Sequence, residues 1–126
     1  MITIKTWSQN LGWAETTGTT SATATQKNPK KKYLVLYVDY TKGDETEAKI
    51  LCRMKNADIT DDIKFDDSFI DTANKSQLNE LILEDTCKRR LAVRLFDSEN
   101  IIAIYAELVG AGASPGTLNI WAKPAN

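Results

Sequence analysis

From Tyr33 the chain alternates with a period of two: Leu34, Leu36, Val38 and Tyr40 fall on one side, Tyr33, Val35, Tyr37 and Asp39 on the other. Successive side chains of a strand point to opposite faces, so the run predicts a strand with one face in a core. Thr41-Lys42-Gly43-Asp44 follows with turn chemistry, Gly43 accepting a positive φ. Ala48, Ile50, Cys52 and Met54 then alternate against Glu47, Lys49, Leu51, Arg53 and Lys55. The pattern predicts a β-hairpin over 33–55. Farther on, RLAVRLF and NIIAIYAELV repeat the texture around Asp97-Ser98-Glu99-Asn100. GTLNIWAKP supplies a closing strand, with Leu118, Ile120 and Ala122 inward and Pro124 ending it. Between them, SQLNELILEDTCKRR fits two periods. Leu78, Leu81, Ile82 and Asp85 have helical spacing, while Leu78, Glu80, Ile82 and Glu84 alternate less cleanly. A helix here would have to meet LAVRLF directly, without a glycine stop, which favours a strand over 76–90.

Residues 1–32 read differently. TTGTTSATATQKNPKKK offers almost no large apolar side chain, so the segment is expected to be an extended N-terminal arm ahead of a domain over 33–126. Ile2, Ile4, Trp7, Leu11 and Trp13 are the exceptions, open to packing on the domain's own sheet or on a neighbouring molecule. Several short strands separated by turn signals give an all-β fold, an antiparallel β-sandwich of jelly-roll-like kind.

Length and composition add bounds. A chain of 126 residues is the size of one domain, and 42% hydrophobic with 26% charged residues belongs to an ordinary globular protein. Net charge is −1, so no global field draws the chain to nucleic acid, and no specific nucleic-acid binding is expected. The longest apolar stretches, such as YLVLYV and IIAIYA, are far shorter than the roughly 20 residues a spanning helix needs, so no membrane is expected as a partner. MITIKTWSQNLGWAETTG lacks a basic segment followed by an apolar core, which suits synthesis and retention in a cytoplasm.

Candidate chemistry is mainly exclusion. The chain has no histidine, which removes imidazole-dependent triads and zinc sites, and two cysteines cannot build a thiolate cage. No metal or organic cofactor is therefore expected. Cys52 shares the face of Ala48, Ile50 and Met54 as a small hydrophobe; reduced thiols are favoured, with a Cys52 to Cys87 bridge the alternative. Asp58, Asp61, Asp62, Asp66, Asp67 and Asp71 form an acidic run without the order of a calcium loop. They suit a solvated loop, or else a weak cation site. Gly110, Gly112 and Gly116 lie between strand-like runs with no helix to follow, so they read as a connection rather than a phosphate loop. Lys30, Lys31 and Lys32 precede an apolar strand, where positive charge discourages edge aggregation; the functional reading is contact with an acidic surface or a phosphate backbone.

YLVLYVDYTKGDETEAKILCRM, followed by RRLAVRLFDSENIIAIYAEL and GTLNIWAKP, resembles small β-sandwich virion proteins of tailed bacteriophages, the capsid decoration, collar and neck components. The resemblance covers roughly two thirds of the chain, centred on a Tyr-x-x-x-Tyr strand and a Lys-Gly-Asp-Glu-Thr turn. It carries no catalytic motif; region 57–77, acidic and irregular, departs from it. It implies a non-enzymatic structural protein made in the host cytoplasm and placed in the virion. Other virion proteins (capsid, portal or neck subunits) and further copies of itself are the implied partners. Trp7, Trp13, Lys30, Lys31 and Lys32 are the candidate interface residues, the two tryptophans as anchors of the arm. The competing expectation is a carbohydrate- or ligand-binding β-sandwich module with Trp121, Trp13 or Tyr37 as stacking platform.

Overall fold

The computed structural model describes residues 1–27, 30–55, 63–64, 69–71, 76–78, 80–95 and 101–126. Among these the strands are β1 (Ile2–Ser8), β2 (Gly12–Gly18), β3 (Ser21–Lys27), β4 (Tyr33–Thr41), β5 (Glu47–Lys55) and β6 (Ile63–Lys64). They continue with β7 (Phe69–Asp71), β8 (Ser76–Leu78), β9 (Glu80–Leu83), β10 (Cys87–Arg94), β11 (Ile101–Val109) and β12 (Thr117–Ala125). Two sheets pack face to face. The first has the order β2-β1-β12-β4-β10-β7-β8, and the second β3-β11-β5-β6 with β9 also on β5. All pairings are antiparallel except β1 with β12, so the β-sandwich is mostly antiparallel.

Period-two alternation builds the core. Leu34, Leu36, Val38 and Tyr40 of β4 face Ile50 and Cys52 of β5 and Ile102 and Ile104 of β11 across the sandwich, all buried. Val93, Ile120 and Ala122 complete the inner face of the first sheet. The stretch with two competing periods is strand: β9 buries Leu81 and Leu83 and leaves Ile82 half-buried, so the inward phase is the odd one. Pro124 lies inside β12 rather than ending it, two residues past the last β1 partner, Ala122, where the strand has no neighbour on that side to receive an N–H.

Two expectations are corrected. Residues 33–55 are not a hairpin: β4 pairs with β12 and β10 in one sheet, while β5 pairs with β11 and β9 in the other. Thr41-Lys42-Gly43-Asp44 carries the chain across the sandwich. β3 to β4, β9 to β10, β10 to β11 and β11 to β12 cross likewise, which gives the fold its jelly-roll-like alternation between sheets. Residues 1–32 are not an extended arm. β1 inserts beside β12 in register Ile2 with Leu118 and Ile4 with Ile120, β2 folds back on it as a true hairpin, and β3 joins the other sheet along β11. Ile2 and Ile4 are fully buried, and Ala22 and Ala24 supply the inward face of β3. Small inward side chains suffice because β3 lies at a sheet edge, where the sandwich is closing.

The acidic run from Asp58 to Asp67, the turn Asp97-Ser98-Glu99-Asn100 and the side chains of Met54 and Asp71 lie outside the described residues. No helix of the described residues is long and apolar enough to cross a membrane.

Candidate interaction site

The sandwich carries a buried polar corner and, on the other side of β4, an exposed face. The corner forms where β4 crosses to β5. Glu45 is only 2% exposed, and its carboxylate accepts from the Tyr40 hydroxyl at 2.5 Å, the Gly43 amide at 2.9 Å and the Gly116 amide at 2.7 Å. Burial alone would push this carboxyl up, but the three donors more than offset it and hold it at about 2. Burial and the adjacent carboxylate raise the Tyr40 hydroxyl well above the ordinary phenol range. Next to it, Asp44 accepts from the Gly112 and Ser114 amides at 3.0 and 2.8 Å, while its own amide donates to the Ser114 carbonyl. The glycine-rich connection after β11 is thus gripped by two acids of the preceding crossing. By tying the Gly43 crossing to Gly116 and to the Tyr40 ring in the core, the buried Glu45 carboxylate makes the corner a structural clamp.

The outer face of the first sheet gathers aromatics. Inward burial of Leu36 and Val38 puts Tyr37 outward, and the register places Arg90, Tyr37, Trp121, Lys5 and Glu15 side by side across β10, β4, β12, β1 and β2. Tyr37 is 43% exposed, with the Arg90 guanidinium 5.9 Å from its ring centre. Trp7 also points outward. It meets Trp13 edge-on at 5.3 Å between ring centres, and the Lys123 ammonium lies 5.6 Å above its ring. All three tryptophans of the chain therefore share this face. β2 is the outermost strand of the sheet, and its hairpin tip presents Leu11 at 85% exposure beside Trp13 at 44%. Gly12 takes φ +70 there, the left-handed turn that closes the hairpin.

The structure brings Trp7 and Trp13 together, on a hairpin within the sheet rather than on an arm. Lys31 and Lys32 are exposed at the start of β4, and Lys30 sits just before them at φ 61. Lys31 lines the same cleft as Trp7, so two parts of the candidate set meet. Trp121 and Tyr37 come together as cross-strand neighbours. Glu45 went unrecognised in the sequence, where Tyr40 reads only as a member of the alternating face of β4. Only the Lys-Gly-Asp-Glu-Thr turn hinted at Glu45, and its partner Gly116 is 71 residues away.

Both cysteines are free thiols. Cys52 is buried in β5 with its thiol pushed up to about 12 by burial, and burial likewise raises that of Cys87 on β10. Among the described residues no group of three or more Cys, Asp or Glu side chains is placed to hold a metal ion. No protein-family model matches the chain, and no curated protein matches it.

Proposed function

We propose that the protein is a non-enzymatic structural component of a tailed-phage virion, of capsid decoration, collar or neck type. It would be made in the host cytoplasm and act through contacts with other virion proteins and with copies of itself. The observation that carries this reading is the hairpin tip, where Leu11 in the turn and Trp13 on the edge strand β2 stand exposed. A tryptophan held on a rigid strand loses little entropy on docking, and truncating such an anchor commonly costs 2 kcal/mol or more. The outer backbone edge of β2 can also accept a strand from a partner. The resemblance carried by Tyr33 to Met54 supplies the virion context.

The test is the double variant Leu11→Ser/Trp13→Ala in particles assembled with the full chain. Melting should stay near that of the native protein, while incorporation into particles should fall at least tenfold, as 1.4 kcal/mol or more of lost contact energy implies. Native-level incorporation would overturn the reading.

A second reading rests on Trp121 and Tyr37 as adjacent exposed-face aromatics, with Asp39 and Asn119 paired in the next row. Stacking rings beside hydrogen-bonding side chains suit a sugar, so a carbohydrate-binding module is the alternative function. A chain that stays monomeric, binds neutral glycans and loses that binding in Tyr37→Ala would favour it over assembly.

A further inference from the structure

One end of the sandwich, away from the Glu45 corner, holds two clefts that share Lys31. The first, about 350 Å³, lies between the β1–β2 hairpin and the end of β3, and Trp7, Asn10, Gln26, Lys27 and Lys31 contribute to its wall. The second, about 560 Å³, continues past Lys30, Lys31 and Lys32 to Tyr33 and Arg94. Among the described residues no Asp or Glu side chain lines either cleft, and Lys123 adds a further cation at the Trp7 ring. The described acids of the crossing, Asp44 and Glu45, lie at the other end of β4. The described charged side chains that line this end, Lys27, Lys30, Lys31, Lys32 and Arg94, are all cationic, in a chain of net charge −1.

Gln26 is the second observation. Its Oε1 is buried and has no hydrogen-bond partner among the described residues. A buried acceptor without a donor is costly, and natural proteins leave few of them. Here it belongs to a residue of the Trp7 cleft wall, beside an aromatic ring and two lysines. A ligand that suits all of these is flat, carries N–H donors on its edge and is linked to repeated negative charge.

We propose that this end is a binding groove for single-stranded nucleic acid. A base enters the Trp7 cleft beside its ring, and the Gln26 side chain turns out of the wall to accept an N–H from it at Oε1, while the flanking phosphates run along Lys27, Lys31, Lys32 and Arg94 towards Tyr33. Rings plus a cationic track bind a strand through features that every nucleotide has, so the groove reads backbone and stacking rather than sequence. A duplex, with its bases already stacked and paired, cannot use the Trp7 cleft. The groove adjoins the hairpin tip through the Trp7–Trp13 pair, but neither Leu11 nor Trp13 lines it, so it goes beyond the assembly reading and is tested at Lys31 instead.

The experiment is titration of the full chain into a fluorescein-labelled DNA single strand of about 15 nucleotides, followed by anisotropy and by tryptophan quenching at low and raised salt. Binding should quench tryptophan fluorescence, weaken steeply with salt, and exceed binding of the matching duplex. Lys31→Glu, at an exposed position shared by both clefts, should weaken binding at least tenfold and lower the salt slope by about 1 or more, with melting unchanged. Lys49→Glu, on the opposite sheet, should bind like the native chain. Absence of binding at low salt, equal affinity for the duplex, or native affinity in Lys31→Glu would each overturn the proposal. Displacement of the strand by polyglutamate at equal charge concentration would overturn it in favour of an acidic protein partner.

Discussion

At the scale of single residues, Glu45 is the position with most at stake. Its carboxyl is lowered from 4.5 to about 2 because three donors face the charged form. A folded-state value below the unfolded one means that the charge contributes stability in full above about pH 4.5. That contribution is lost as the pH falls towards 2. Glu45→Gln replaces one carboxylate oxygen by an NH2 group, which would face either the Gly116 amide or the Gly43 amide and Tyr40 hydroxyl. We expect a loss on the order of 2–3 kcal/mol at pH 7, measured by denaturant unfolding, and a flatter stability profile between pH 4.5 and 2 in the variant. An unchanged acid profile would remove Glu45 from the clamp. Tyr40 acts from the other side of the same bond: its ring is fully buried in the core, so its hydroxyl needs this partner.

Among elements, the crossings between sheets matter more than the strands they join. Gly43 and Gly116 approach so closely that a Cβ on Gly116 would stand 2.3 Å from the Thr41 carbonyl oxygen and 2.5 Å from a Glu45 carboxylate oxygen. Gly116→Ala should therefore destabilise by about 2–4 kcal/mol and lower the melting temperature by several degrees in a thermal scan. A native melting temperature would show that the two crossings are not interlocked. The same place explains what the sequence could and could not disclose. Alternation in β4, β5, β11 and β12 identifies the inward residues, because burial of one face is a local property of a strand. Alternation is silent about the neighbour, and a glycine turn that closes a hairpin is written like one that carries the chain to the opposite sheet. Hence Leu36, Ile50 and Ile120 were legible as core, and the hairpin over 33–55 was a misreading. The first three strands were obscured for another reason. Ala22 and Ala24 fill the core side of β3, and alanine hardly marks a buried face. The aromatic face was half legible: Trp7 and Trp13 stood out as rare large residues. Their company with Trp121 and Tyr37 depends on β1 lying beside β12, which no local pattern encodes.

For the whole molecule, the N-terminal strands decide whether there is a fold at all. A chain starting at Lys31 would lose β1, β2 and β3, strip one side of both β12 and β11, and open the core where Ile2 and Ile4 are fully buried. Such a chain is expected to be unfolded by circular dichroism and to lack a cooperative melt; a melt close to that of the full chain would contradict this. The pairing of β1 with β12 has a temporal consequence as well. The backbone bond from Leu118 to Met1 and the contact of the Met1 amino group with the Gly116 carbonyl join positions about 115 residues apart. While the polypeptide emerges from the ribosome, the β1–β2 hairpin has no sheet to enter until β12, about 115 residues later, has been synthesised. Ile2 and Ile4 must wait in contact with water or with a chaperone. Closure then waits for β12 and is dominated by distant contacts, with a folding time on the order of milliseconds to seconds.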